Sequence, residues 1–146
     1  MGAVYPELDP SLRAFIARQA VCFVATAPLS ATGHVNVSPK GLDTVRVLDG
    51  RTVAYLDLTG SGNETAAHLL ENGRIVMMWC AFEGPPRIVR VHGRGRVVVP
   101  SDAAWPALRA HFPAMEGVRQ LVVVDVTRVT TSCGYGVPTM GPAAAR

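Results

Sequence analysis

Two short stretches hold the residues best suited to chemistry. In His34-Val35-Asn36-Val37-Ser38-Pro39-Lys40-Gly41, period-two alternation puts His34, Asn36, Ser38 and Lys40 on one side and Val35 and Val37 on the other. Further along, Gly60-Ser61-Gly62-Asn63-Glu64-Thr65 is a Gly-rich turn entering a short helix, with Ser61 and Glu64 spaced as a capping box and Asn63 as an alternative N-cap. Free amides and the helix dipole at such a terminus attract anions, and Ser61, Asn63 and Thr65 add donors. Gly62 lets a ligand approach the backbone closely, whereas the carboxylate of Glu64 opposes a phosphate. The GK[ST] ending of a P-loop is absent. Each stretch also has a plain reading, as a solvent-washed strand and an ordinary capped helix. Brought together by an antiparallel sheet, Ser38 and Lys40 with Ser61, Asn63 and Thr65 would surround a phosphate with one cation and several neutral donors.

The elements that must position these residues are legible in outline. Asp9 caps a helix over 9–20, with Pro10 at N1 and Leu12, Phe15, Ile16 and Gln19 on one face. A strand follows at Val21–Thr26, then the alternating strand. Val45–Leu48 and Thr52–Leu58 are joined by the turn signal Asp49-Gly50. The short helix after Thr65 closes at Gly73 in a left-handed C′ position. Arg74–Phe82 is apolar on both faces, and Arg87–Val99 contains Gly93 and Gly95, which predict a bulge. Ser101-Asp102 is placed to cap a helix carrying Trp105, Leu108 and Phe112, and Leu121–Val129 is the last strand. This predicts one domain, mainly β (α+β): an antiparallel barrel over 20–130 with flanking short helices and a Gly/Pro-rich tail over 131–146.

Composition narrows the function classes. Fourteen Lys and Arg, all arginine except Lys40, stand against eleven Asp and Glu, for a net charge of +3. Arginine suits bidentate contact with phosphate or carboxylate. Apolar runs such as Ile75–Cys80 are too short to span a membrane, and no signal-peptide pattern opens the chain, so the expectation is a cytoplasmic protein with no membrane partner. Cys22, Cys80 and Cys133 have neither CxxC spacing nor a neighbouring His, and His34, His68, His92 and His111 share no spacing, so no metal is expected. Arg94-Gly95-Arg96 lacks the interleaved aromatics of single-strand binders, and no nucleic-acid partner is expected.

VCFVATAP, GHVNVSPKG, TVAYLDLTGSGNETAAHLLENGRIVMM and PPRIVRVHGRGRV, taken in order, resemble the FMN-binding split barrel of the pyridoxamine 5′-phosphate oxidase-like family. The resemblance implies a split β-barrel of about six strands that pairs as a homodimer, with flavin at the interface. Ser38 and Lys40 would contact the flavin phosphate or ribityl chain, and Ser61, Gly62, Asn63 and Thr65 would add phosphate contacts. The backbone near Val37 would meet the polar edge of the ring. Arg87, Arg90 and Trp79 would come from interface strands, Arg87 and Arg90 on opposite faces of one strand. Asp57 either lines the site or ends a strand, and Cys133–Pro138 either folds over the flavin or partner or forms an exposed tail.

Two departures argue against oxidation of pyridoxamine phosphate itself. Glu64 and Thr65 stand where the oxidase's loop carries an Arg-Lys pair, and its C-terminal Trp-and-Arg signature is not found. The implied function is an FMN-dependent oxidoreductase acting on another small molecule. The alternatives are an F420-dependent reductase on the same fold and a non-catalytic flavin- or haem-binding module.

Overall fold

The computed structural model describes residues 2–141. The elements run β1 (Val4–Tyr5), α1 (Pro10–Ala17), β2 (Cys22–Thr26), β3 (Asn36–Lys40), β4 (Val45–Val47), β5 (Thr52–Leu58), α2 (Glu64–Asn72), β6 (Arg74–Cys80), β7 (Ile88–Val98), α3 (Trp105–Arg109) and β8 (Val118–Ser132). All strand pairings are antiparallel, in the order β3-β2-β6-β7-β8-β5-β4, with β1 on β8. Of the eight strands, seven correspond to those read from the sequence and β1 was not foreseen, against the about six that the family resemblance implied; β3 and β4 are the free edges of the curled sheet. Between those edges lies the split of the barrel.

The inner face of the sheet carries the main core. Val24, Tyr55, Met77, Trp79, Val89, Val91, Val122 and Val124 are almost fully buried there, with Leu12, Phe15 and Ile16 of α1 and Leu69 of α2 packed against them. Burying a side chain of this size contributes about 1.5–3 kcal/mol before chain entropy is set against it. A second cluster on the outer face joins Ala54, Leu56, Val98, Leu121 and Val123 to Phe112, with Trp105 and Leu108 of α3 covering it.

Local signals act as expected at several points. Asp9 accepts a hydrogen bond from the Leu12 amide at 2.8 Å, and Gly73 ends α2 at φ +68°. The β7–β8 register shifts between His92 and Gly93, leaving Thr127 as the extra residue on β8. A side chain at Gly93 would run into the Asp125 carbonyl, so the shift requires glycine there.

Other expectations need correction. α1 stops at Ala17 rather than continuing to residue 20, and the strand after it begins at Cys22. Ser61 and Glu64 form no capping box: Asn63 is the N-cap and makes no side-chain cap bond, because its Oδ1 accepts from Gln120 Nε2 at 2.9 Å. Asp102 does not cap α3, whose N-cap is Ala104; the Asp102 carboxylate instead accepts from the Val99 amide at 2.8 Å. The Asp49-Gly50 connection is wider than a two-residue turn, being closed by Leu48 N–H to the Thr52 carbonyl. The last strand runs to Ser132, well past Val129.

Candidate functional site

The side chains of β3 are inverted relative to an ordinary edge strand. Asn36, Ser38 and Lys40 turn inward across the split, while Val35 and Val37 are 68% and 60% exposed. The inward polar row meets β5 and α2 instead of core. Lys40 Nζ lies 3.0 Å from Asp57 Oδ1 and 5.2 Å from the centre of the Tyr55 ring. Asn36 Nδ2 donates to Ser38 Oγ at 3.0 Å and to Thr65 Oγ1 at 3.2 Å, tying β3 to the first turn of α2. The result is a cleft of about 320 Å³ bounded by Asn36, Ser38, Lys40, Asp57, the 60–65 loop and Arg119.

Arg119 reaches the cleft through a second irregularity. Asp57 pairs with Gln120 and Leu58 with Val118, so Arg119 is the extra residue of a bulge in β8. Strict alternation would send Arg119 and Gln120 to opposite faces; the bulge aims both at Asp57. Arg119 Nε lies 2.9 Å from Asp57 Oδ2, and Gln120 Nε2 donates to the same oxygen at 2.7 Å. Arg119 Nη2 also donates to the Gly62 carbonyl at 2.6 Å, fixing the loop ahead of α2.

Asp57 is the buried anchor of this network, with only 4% of its surface exposed. Burial pushes its carboxyl upward, but hydrogen bonds from Lys40, Gln120 and Arg119 and the charge of Lys40 outweigh that and hold it below the ordinary value. Both cations keep donors free after pairing, since an ammonium has three and a guanidinium five. Beneath them the Tyr55 hydroxyl is buried and has no hydrogen-bond partner among the described residues; burial first, then the charges of Asp57 and Cys22, push it strongly upward, with Thr65 and Arg119 acting against them. Glu64 folds its carboxylate against Gly62, where a Cβ would collide with it. The cleft therefore presents two cations, an α2 terminus that Asn63 leaves uncapped, and two carboxylates, one locked and one exposed.

Ser38, Lys40, Ser61, Gly62, Asn63 and Thr65 all border this cleft, with Val37 on the outward side of the same strand. Arg87 and Arg90 lie elsewhere in the chain. The Arg87 guanidinium stands 5.4 Å over the Phe15 ring, and Arg90 Nη1 donates to Ser132 Oγ at 3.1 Å. Trp79 is 2% exposed in the inner core. The Cys133–Pro138 segment turns back on its own chain, with Gly134 against the Arg87 backbone. Cys133 is exposed; the Tyr135 amide in particular, then those of Gly134 and Cys133, hold its thiol below the ordinary value despite some desolvation. Cys22 and Cys80 are buried, and burial pushes the Cys22 thiol up to about 12 against the Lys40 charge. Residues 142–146 of the expected tail lie outside the described residues. Among the described residues no helix is long and apolar enough to cross a membrane.

The family model described as pyridoxamine 5'-phosphate oxidase matches residues 8–133. The chain belongs to the pyridoxamine 5'-phosphate oxidase family. The family protein ustO of Aspergillus flavus is 41% identical over an alignment of 142 positions, and the match covers 94% of this chain and 57% of that protein, so the chain spans little more than half of its relative. Solved structures of the same fold include the FAD binding protein from Mycobacterium smegmatis (TM-score 0.61, 18% identity, 86% of this chain and 96% of that one). Another is an FMN-binding protein from Syntrophomonas wolfei (TM-score 0.58, 15% identity, 80% of each chain). Within the pyridoxamine 5'-phosphate oxidase fold, Arg119 and Gln120 are the cleft residues that sequence reasoning missed. Val118 and Arg119 lie just ahead of the Leu121–Val129 run, and no alternation signal marks the bulge that recruits Arg119.

Proposed function

We propose that this chain binds FMN and acts as a flavin-dependent oxidoreductase on a small molecule other than pyridoxamine phosphate. The observation that carries the reading is the convergence of Lys40 from β3 and Arg119 from β8 on the uncapped start of α2, beside the hydroxyls of Ser38, Ser61 and Thr65. That donor set fits a terminal phosphate: two cations with spare donors, neutral hydroxyls and open amides. The cleft is at the small end of ligand pockets, which run to about 1,000 Å³; it suits a phosphate and part of its polyol rather than a tricyclic ring. The ring would lie outside it, along β3 by the Val37 backbone.

FMN ends in the phosphate such a cradle takes, whereas FAD would have to carry its adenylate beyond it. A bound flavin supplies the electron and hydride transfer itself. The residues of this chain hold and orient. Asp57 fixes Lys40 and Arg119, the Asn36–Thr65 bond sets the distance between β3 and α2, and exposed Val35 and Val37 offer apolar cover. A second copy paired across that apolar face would complete the enclosure.

The test is direct. Purified protein should be yellow, and mass analysis after denaturation should release FMN. Protein that is colourless and takes up neither FMN nor F420 in titration contradicts the reading, and release of F420 would replace the cofactor. A monomer that persists in sedimentation across concentrations contradicts the pairing.

A further inference from the structure

A second cavity, of about 670 Å³, opens between α1 and β4 on the inner side of the sheet, away from the face that bears Val35 and Val37. Small side chains on α1 leave the space: Ala14 and Ala17 border it on one side, and Val45 and Val47 of β4 on the other. Trp79, 2% exposed, gives it an apolar floor. Lys40 stands at its border with the cleft that holds Arg119 and lines both spaces.

The rim of this cavity is held in place before any ligand arrives. Leu42 and Asp43, at φ +56° and +61°, are consecutive non-glycine residues in the left-handed region. Such backbone persists only where its surroundings fix it, and it clusters at ligand clamps. Here the Thr44 amide and hydroxyl both donate to the Gly41 carbonyl, at 3.1 and 2.6 Å. Arg46 grips the Asp43 carboxylate through Nη1 at 2.6 Å and Nη2 at 3.0 Å.

Three cations, Arg13, Lys40 and Arg46, line the cavity against one carboxylate, Asp43. Lys40 is answered by Asp57 and Arg46 by Asp43, whereas Arg13 enters no ion pair among the described residues. We infer that this cavity is a second binding site, for a compact aromatic acid whose carboxylate meets Arg13 and whose ring rests on Trp79 between α1 and β4. Its volume lies within the range of small-molecule pockets, about 300–1,000 Å³. Apolar walls on two sides suit a flat ring, and a guanidinium takes a carboxylate through two parallel bonds. A sugar or other polyol would lose its hydration against the same walls without gaining partners. The site needs no flavin and stands apart from the FMN reading.

The chain's two tryptophans supply a probe and a control, since Trp79 floors the cavity and Trp105 covers the outer cluster. Their indole N–H resonances would be followed in the full chain during titration with 1-naphthoate and with 1-naphthalenemethanol, which has the same ring without the charge. Naphthoate should move the Trp79 signal saturably and leave Trp105 in place, with the alcohol binding at least about tenfold more weakly. Arg13→Gln should erase the preference for the acid. Ala17→Leu, at an exposed position of α1, should fill the cavity and remove the response to both probes at an unchanged melting midpoint. A silent Trp79, equal affinity for acid and alcohol in wild type, or a full response in Ala17→Leu would overturn the site. The same titration in protein that takes up no FMN should give the same response, so a failure of the flavin reading and a failure of this one are seen separately.

Discussion

The outer face of the sheet is covered at one end and bare at the other. Over β5, β8 and the far end of β7, Ala54, Leu56, Val98, Leu121 and Val123 are buried beneath Phe112, Trp105 and Leu108. Over β3, Val35 and Val37 stand open, though strands of similar β-branched composition carry them. The difference is one of cover: the segment containing α3 returns over the first region, and nothing in the chain's described residues returns over the second. Under the proposed function, this bare edge is the face that a second copy would cover. The cleft between Lys40 and Arg119 lies where the bare edge strand meets the inner core, so β3 serves both: its polar side faces the cleft and its apolar side faces outward.

Truncation separates the two regions most strongly. Phe112→Ala should lower the unfolding free energy by about 3–5 kcal/mol in a denaturant titration, as for a buried aromatic. Val37→Asp should leave monomer stability within about 0.5 kcal/mol while moving the sedimentation profile to monomer. Equal loss of stability in both variants would erase the contrast.

Asp57→Asn probes the seam between the regions. Removing the shared partner of Lys40 and Arg119 should cost about 3 kcal/mol at neutral pH, in the range for breaking a buried ion pair. The folded carboxyl lies below its unfolded value, so its contribution is complete above the ordinary carboxylate value near 4 and is lost as pH falls through the folded one. Wild type and Asp57→Asn should therefore converge in acid. A constant gap down to the lowest pH at which the protein folds would show that Asp57 acts through packing alone.

The smallest expected effect concerns Glu64, whose carboxylate lies against Gly62 at the start of α2. Glu64→Gln should tighten FMN by about threefold, by removing a like charge from the helix terminus. Weaker binding would mean that Glu64 positions the loop rather than opposing the ligand.

Much of this was readable in the chain. Asp9, Gly73 and Gly93 announce a cap, a stop and a bulge because their roles are local and depend on backbone geometry. The alternation of β3 separates its two faces, but which face turns inward depends on the cleft across the split, a tertiary fact. Arg119 stayed hidden because one bulged residue reverses the parity of β8 ahead of Gln120. Ser61 and Glu64 had the spacing of a capping box, yet Gln120 draws off Asn63 and Arg119 holds the Gly62 carbonyl; both partners come from a strand far along the sequence.

The claim that Lys40, Thr65 and their neighbours hold a flavin phosphate is tested most directly by comparing two ligands that differ only in that group. FMN and riboflavin would be titrated into wild type and into Lys40→Ala/Thr65→Ala, following flavin fluorescence. The account predicts that the double variant loses at least about tenfold in FMN affinity, the equivalent of about 1.4 kcal/mol, with riboflavin affinity almost unchanged. Equal loss for both ligands, or none for FMN, would contradict it.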